Sequence, residues 1–229
     1  MQRSTAGDWR YAHLDESSSV HRRQRIYAVA AVMSTEDQQP QLKERLRAAL
    51  LPGQDHLHWN ADRSLLRRLE LAQLIADCEI NGVLVVSSTT TNKQQEHARK
   101  KILGVMLPEL QHGEDTSQAI IESRFHGDQH DRRTVGWLRQ QQVISSAMLV
   151  DHVPKRDDER LWLADALVSS YMTARCTGRP SRGTSSTPGS AWWCGNCPEQ
   201  REGLGPVAER GPSPHFQPRP RTGWLQRRG

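Results

Sequence analysis

Residues 10–33 read RYAHLDESSSVHRRQRIYAVAAVM and decide the fold of the domain that they open. The second part, RIYAVAAVM over 25–33, is a nearly continuous apolar run, which is typical of a strand buried on both faces. The first part, RYAHLD over 10–15, predicts a short strand, and the polar residues between the two predict a turn. The chain therefore opens on a β-hairpin.

Beyond the hairpin, helical and strand patterns alternate along the chain. Apolar residues at three- and four-residue spacing predict helices over 41–51, 62–78, 92–110, 131–142 and 157–174. Short apolar runs predict strands over 83–88, 117–123 and 146–153. This order predicts the α/β class, with a mixed sheet flanked by helices.

The C-terminal segment has a different composition. Residues 178–229 contain nine Gly and eight Pro among 52 positions, and such a segment buries too little apolar surface to offset its chain entropy. We therefore expect a disordered N-terminus (1–9), one folded α/β domain (10–176) and a disordered Arg/Gly/Pro-rich tail (177–229).

Charge divides in the same way. Eight Arg and three Glu give residues 178–229 a charge of +5, which is the net charge of the whole chain. The high isoelectric point, about 9.3, is therefore a property of the tail and does not indicate a basic nucleic-acid platform on the folded domain.

The sequence also bears on the compartment. No apolar run approaches the ~20 residues of a membrane helix, and the opening MQRSTAGDWR lacks the apolar core of a signal peptide. Cys78 and Cys176 are isolated, which favours a reducing compartment over a disulfide framework. These features predict a cytoplasmic protein with no membrane partner, and they leave its oligomeric state open.

Several carboxylates stand where predicted strands end or on an apolar helix face. Asp15 and Glu16 close the first strand, Glu122 lies within the strand over 117–123, and Asp131 follows soon after it. Asp165 stands inside the apolar stretch LWLADALV. Because a carboxylate on a buried face is costly unless it is paired or metal-bound, Asp165 is either a functional acid or an Asp satisfied by a nearby Arg or backbone amide.

Carboxylates gathered at one end of a sheet need a compensating charge. Mg²⁺ or Mn²⁺ prefers such all-oxygen sites, and two ions roughly 4 Å apart can promote phosphodiester hydrolysis. We expect Asp15, Glu122 and Asp165 to hold the metal, with Asp131 or Glu16 completing the shell or positioning water. An Arg, such as Arg124, in the space between these three carboxylates would instead favour a non-catalytic binding module.

The motifs YAHLDESS, IYAVAAVM, HLHW, EHARKKIL, IIESR and DHVPKRDDERLWLADALV resemble the bacterial family called domain of unknown function 3800. Members open with a strand that ends in Asp-Glu-Ser and close with a helix carrying Leu-x-x-Ala-Asp. The resemblance covers about residues 11–174. It implies a ribonuclease-H-like fold and action on nucleic acid.

Carried over residue by residue, the resemblance makes Asp15 the first-strand acid and Asp165 the acid of the last helix. Glu122 falls where the middle-strand acid is expected, a position where many relatives have Asp, and Asp131 is a weaker fourth match. Ser18 departs from the Gly that relatives have after Asp-Glu-Ser.

Three hypotheses for function follow. The first is a metal-dependent phosphodiesterase or nuclease of ribonuclease-H type. The second is a non-catalytic interaction domain of the same fold. The third is a frameshifted product without activity, because relatives continue into a further folded segment, whereas residues 177–229 contain no Lys, Asp or Ile and are rich in Arg, Gly and Pro.

Overall fold

The computed structural model describes residues 9–21, 24–59, 64–78, 80–89 and 94–177. The expected disorder of the two termini concerns residues that lie almost entirely outside these ranges. Within them, no helix is both long enough and apolar enough to cross a membrane. The described strands are β1 (Arg10–His21), β2 (Gln24–Thr35), β3 (Asn81–Thr89), β4 (Gln118–Glu122) and β5 (Leu149–Val153).

The strands form one mixed sheet in the order β3-β2-β1-β4-β5. The β1–β2 and β2–β3 pairs are antiparallel, whereas β1–β4 and β4–β5 are parallel. The expected fold class, a mixed sheet flanked by helices, is confirmed.

The opening hairpin is longer than the sequence predicts. The stretch expected to turn after Asp15 remains a strand as far as His21, and Glu16 to Val20 stay paired with β2, from Glu16 opposite Val29 to Val20 opposite Arg25. The hairpin itself is present, but the predicted turn was too long because it rested on polarity. Residues 16–24 contain no Gly, Pro, Asn or Asp, so Ser is the only common turn-forming residue among them.

The described α-helices follow the predicted order, with ends displaced by a few residues. Ser64 caps the second helix, accepting a hydrogen bond from the amide of Arg67 at 3.4 Å. The last helix begins later than predicted because residues 155–157 form a separate 3₁₀ helix. The bounds are α1 (Gln39–Ala48), α2 (Leu65–Ala76), α3 (Gln95–His112), α4 (Asp128–Gln140) and α5 (Leu161–Thr177).

The helices cover both faces of the sheet. On one face, α3 and α4 pack on Leu14, Val29 and Ile121. On the other face, α5 covers the middle of β2 and β3, and α1 and α2 extend that layer around Trp59 and Trp162. Side chains of a strand alternate between these layers, so neighbouring residues of β1 face different helices.

Candidate functional site

Two of the predicted acids lie side by side at the end of the parallel strand pair. Leu14 of β1 is in register with Ile121 of β4, so the next residue of each strand, Asp15 and Glu122, falls at the same edge. Both point away from the layer of α3 and α4, because Leu14 and Ile121 point into it. They therefore face α5, which carries Asp165.

These three acids converge on one ammonium group. The Nζ atom of Lys155 lies 2.8 Å from Oδ2 of Asp15, 3.3 Å from Oε2 of Glu122 and 3.4 Å from Oδ1 of Asp165. The side chain of Asp15 is 2% exposed and that of Lys155 is 13% exposed. We call Asp15, Glu122, Asp165 and Lys155 the carboxylate–lysine cluster.

The backbone around Lys155 fixes its position. Pro154 ends β5, and the 3₁₀ helix Lys155–Asp157 follows it directly. The indole N–H of Trp162 donates to the carbonyl of Lys155 at 2.9 Å. Since Trp162 is buried between α1, α2 and α5, this bond ties the start of the 3₁₀ helix to the core.

The electrostatics of the cluster follow from burial. Burial, followed by a hydrogen bond with Glu122, raises the pKa of Asp15 well above its usual range, although the charge of Lys155 opposes this. Burial would lower the pKa of Lys155, but the charges of Asp15 and Asp165 outweigh it and raise that pKa. The ammonium form of Lys155 is thus strongly favoured.

Asp165 is anchored by the segment HLHW. The amide of Trp59 donates to its Oδ2 at 3.0 Å, and Nδ1 of His58 lies 3.1 Å from the same oxygen. Burial would raise the pKa of Asp165, but the hydrogen bond with His58 and the charge of Lys155 lower it on balance. The same hydrogen bond raises the pKa of His58, whose side chain is 41% exposed. His58 therefore links the buried acid to solvent.

The sheet separates the other two predicted acids from this cluster. Glu16 follows Asp15 in β1 and points to the opposite face, where it forms an ion pair with Arg99 of α3. Asp131 of α4 accepts hydrogen bonds from Arg99 Nε at 2.9 Å and Nη2 at 2.8 Å. The structure does not bring Glu16 and Asp131 to the ammonium of Lys155, because both bind Arg99 instead.

This second group is a buried network centred on Arg99, whose side chain is 1% exposed. Arg99 also donates to the hydroxyl of Tyr27 at 3.2 Å, and His152 lies 3.3 Å from Asp131. Burial would raise the pKa of Asp131, but hydrogen bonds from His152 and Arg99 lower it to about 2. Asp131 is thus an ionised structural partner of Arg99.

Arg124 lies in this second network and not in the carboxylate–lysine cluster. Its guanidinium approaches Glu96 at 2.7 Å, Asp131 at 3.3 Å and Glu16 at 3.4 Å. The predicted alternative, in which Arg124 fills the space between the acids, does not describe the structure. Lys155 takes that place.

The chemistry of the first cluster suits a divalent cation. All three acidic groups offer oxygen, the donor that Mg²⁺ and Mn²⁺ prefer, and the buried Oδ2 of Asp15 is neutralised only by the ammonium of Lys155 at 2.8 Å among the described residues. With Lys155 between the acids, the described ranges contain no three His, Cys, Asp or Glu side chains spaced as metal ligands. A metal would therefore have to replace the ammonium.

Neither Lys155 nor His58 is among the site residues predicted from the sequence. Lys155 belongs to the charged run KRDDER, where nothing distinguishes it from its neighbours. For His58 a signal was available, because Leu57 and Trp59 on either side are apolar, and both prove to be buried. Such flanks hold a loop against the core.

Comparisons with known proteins concern the fold alone. No protein-family model matches the chain, and no curated protein matches it. A chain from the PCNA:RNase HII complex of Archaeoglobus fulgidus is 16% identical, with a TM-score of 0.39, over 78% of this chain and 83% of that one. Ribonuclease H2 from Pyrococcus horikoshii OT3 is 14% identical, with a TM-score of 0.43, over 78% and 82%.

Proposed function

We propose that the domain is a metal-dependent phosphodiesterase of ribonuclease-H type, a member of the domain of unknown function 3800 family that acts on nucleic acid. The observation that carries the proposal is the convergence of Asp15, Glu122 and Asp165 on one cation. They come from β1, β4 and α5, so only the tertiary fold brings them together. Burying several carboxylates at one point is costly unless a cation compensates their charge.

In this proposal Asp15, Glu122 and Asp165 hold Mg²⁺ or Mn²⁺. Bound there, the metal would activate water and stabilise the leaving oxygen of a phosphodiester. Lys155 would have to leave the carboxylates for a metal to bind, and its ammonium would then be placed to neutralise charge on the reacting phosphate. Glu16 and Asp131 act indirectly, by fixing the middle of β1 and the start of α4 through Arg99.

His58 carries a proton in the same scheme. Its Nδ1 is bonded to Asp165, and its ring reaches solvent, so the imidazolium form can protonate the departing oxygen. The carboxylate of Asp165 orients the ring, as a carboxylate does for a catalytic histidine in other hydrolases. His58 also lies 6.4 Å, ring to ring, from His56, which opens a path to bulk water.

Calorimetric titration of the full chain with Mn²⁺ tests the proposal. We expect the parent protein to bind, and Asp165→Asn, which keeps the shape but removes the charge, to lose binding. Asp157→Asn is the matched control, since Asp157 is 54% exposed and pairs with Arg156 at 3.6 Å. A folded parent protein that takes up no Mn²⁺ contradicts the proposal, as does an Asp165→Asn variant that binds normally.

A second candidate is favoured by Lys155 itself. If the ammonium is a permanent counterion, the domain is a non-catalytic interaction module in which the cluster only stabilises the fold. The Lys155→Met variant separates the two functions. Gain of Mn²⁺ affinity supports the phosphodiesterase, whereas loss of folding with no rescue by Mn²⁺ supports the interaction module.

A further inference from the structure

A cleft of about 300 Å³ opens between α3 and α4. It lies on the side of the sheet opposite α5, beside the network of Arg99 and Arg124. Most of its lining side chains are cationic or can become so, and they are exposed to solvent. The lining includes His97 and Lys100 of α3 and His130 and Arg133 of α4.

The acids of the cleft are already neutralised from within the protein. Glu96 is paired with Arg124 at 2.7 Å, and Asp131 is held by Arg99 at 2.8 Å. Among the residues that the structure describes, Lys100 and Arg133 take part in no ion pair. The cleft therefore presents uncompensated positive charge, which suits a polyanion.

An exposed aromatic residue, Phe125, directly follows Arg124, which pairs with Glu96 in the lining of the cleft. Phe125 is 85% exposed and has a φ of 58°, a left-handed conformation that is a rare outlier for a bulky residue. Its loop is fixed by Asp128, which accepts hydrogen bonds from the hydroxyl of Ser123 at 2.6 Å and the amide of Arg124 at 2.7 Å. A strained backbone thus holds an apolar ring in water.

Strain of this kind persists where the surrounding structure imposes it, and it clusters at ligand sites. Phe125 follows Glu122 by three residues, and the adjacent Arg124 contacts Glu16 at 3.4 Å, so Phe125 belongs to the short loop between β4 and α4. The rings of Phe125 and His126 form an edge-to-face contact, with a centroid distance of 4.4 Å and an interplanar angle of 78°. With 85% of its side chain exposed, Phe125 remains accessible to a flat ligand.

From these features we propose that the cleft and Phe125 bind an unpaired nucleic-acid strand. Phe125 stacks on a base, and Lys100 and Arg133 contact the phosphates, a combination typical of surfaces that bind single strands without sequence preference. The proposal rests on the proposed function, for which it names the substrate class. Trp137, 48% exposed with Lys100 5.6 Å above its ring, offers a second stacking surface along α4.

Binding of fluorescent oligothymidylate and oligouridylate to the full chain, followed by anisotropy in EDTA, tests this proposal. The chelator separates it from the proposed function, because no metal or turnover is involved. We expect Phe125→Ala to weaken binding about tenfold and Phe125→Tyr to retain it. Phe125→Ala binding as tightly as the parent overturns the stacking role.

The charges are tested with a matched pair of double variants. Lys100→Ala with Arg133→Ala removes the cleft cations, whereas Lys101→Ala with Arg132→Ala removes two exposed neighbours from the same helices. Each phosphate contact to a single strand contributes ~0.7 to the slope of log affinity against log salt. We therefore expect the loss of two contacts to reduce the magnitude of this slope by about 1.4 for the first double variant only. The basic tail is common to all variants, so it cannot produce the difference.

Three results would overturn the inference. One is equal slopes for the two double variants. Another is a matched duplex that binds more tightly than the single strand, since base stacking on Phe125 needs an unpaired base. The third is competition by polyglutamate that abolishes oligonucleotide binding at equal charge concentration, because that outcome indicates a surface for acidic proteins.

Discussion

The ammonium of Lys155 lies 2.8 Å from Oδ2 of Asp15, at the centre of three carboxylates from three different elements. Removing a partner from a buried charged group is strongly destabilising. We therefore expect Lys155→Met to lower the free energy of unfolding by about 3 kcal/mol in EDTA, measured by urea denaturation. Arg156→Met, at a side chain that is 74% exposed, should change it little.

Metal should reverse this loss if the acids form a cation site. A ligand that binds only the folded state stabilises it in proportion to the logarithm of its concentration over Kd. We expect Mn²⁺ to raise the urea midpoint of Lys155→Met more than that of the parent protein, because the variant has no ammonium to displace. A midpoint that stays unchanged on addition of Mn²⁺ argues for a purely structural cluster.

His58 provides a separate prediction for the reaction. If its imidazolium protonates the leaving oxygen, His58→Gln should retain Mn²⁺ affinity and lose about a hundredfold in kcat. The hydrogen bond with Asp165 raises the pKa of His58, so activity should decline as pH rises through that raised value. The decline should be absent from the residual activity of His58→Gln, with His56→Gln as the control on the same loop.

The positions of Asp15, Glu122 and Asp165 show what local sequence can predict. Asp15 closes the apolar part of the first predicted strand, Glu122 lies within a later one, and Asp165 interrupts an apolar helix face, so each carries a signal of its own. Parallel pairing of β1 and β4 then brings the first two together without further information. The mixed sheet was predictable for the same reason, since apolar runs and helical stripes are local patterns.

Lys155 and Glu16 show where such prediction stops. The position of Lys155 is set by the end of β5 and by a hydrogen bond from the indole of Trp162. Neither constraint can be recognised from the local sequence KRDDER. Glu16 was grouped with Asp15 because the strand was expected to end there. Once β1 is known to continue to His21, alternation alone places Glu16 on the opposite face.

The buried side chain of Arg99 leads to a prediction about stability. It binds Glu16, Asp131 and Tyr27 at once, so Arg99→Met leaves two acids with one partner fewer. We expect a loss of about 3–5 kcal/mol in the free energy of unfolding, and a smaller loss for Arg99→Lys, which keeps the charge but not the two-point contact with Asp131. Lys101→Met on the exposed side of α3 is the control. Equal free energies of unfolding for all three variants would contradict a stabilising role of the buried Arg99 ion pairs.

The last prediction concerns acid stability and depends on Asp131. Its pKa is 3.8 in the unfolded chain and about 2 in the folded protein. Because the folded pKa is depressed, the group stabilises the fold above the unfolded value, and that contribution disappears as pH falls through about 2. It amounts to about 2 kcal/mol.

Between about pH 4 and pH 2 the unfolded chain therefore binds more protons at this position than the folded protein does. The free energy of unfolding consequently decreases as the pH is lowered through this range. Asp131→Asn cannot titrate, and its free energy of unfolding, measured by urea denaturation at several pH values, should fall less steeply across this window. The exposed Asp37→Asn serves as the control and should keep the parent slope. An Asp131→Asn variant with the full acid slope would show that the bonds from Arg99 and His152 do not hold this carboxylate ionised.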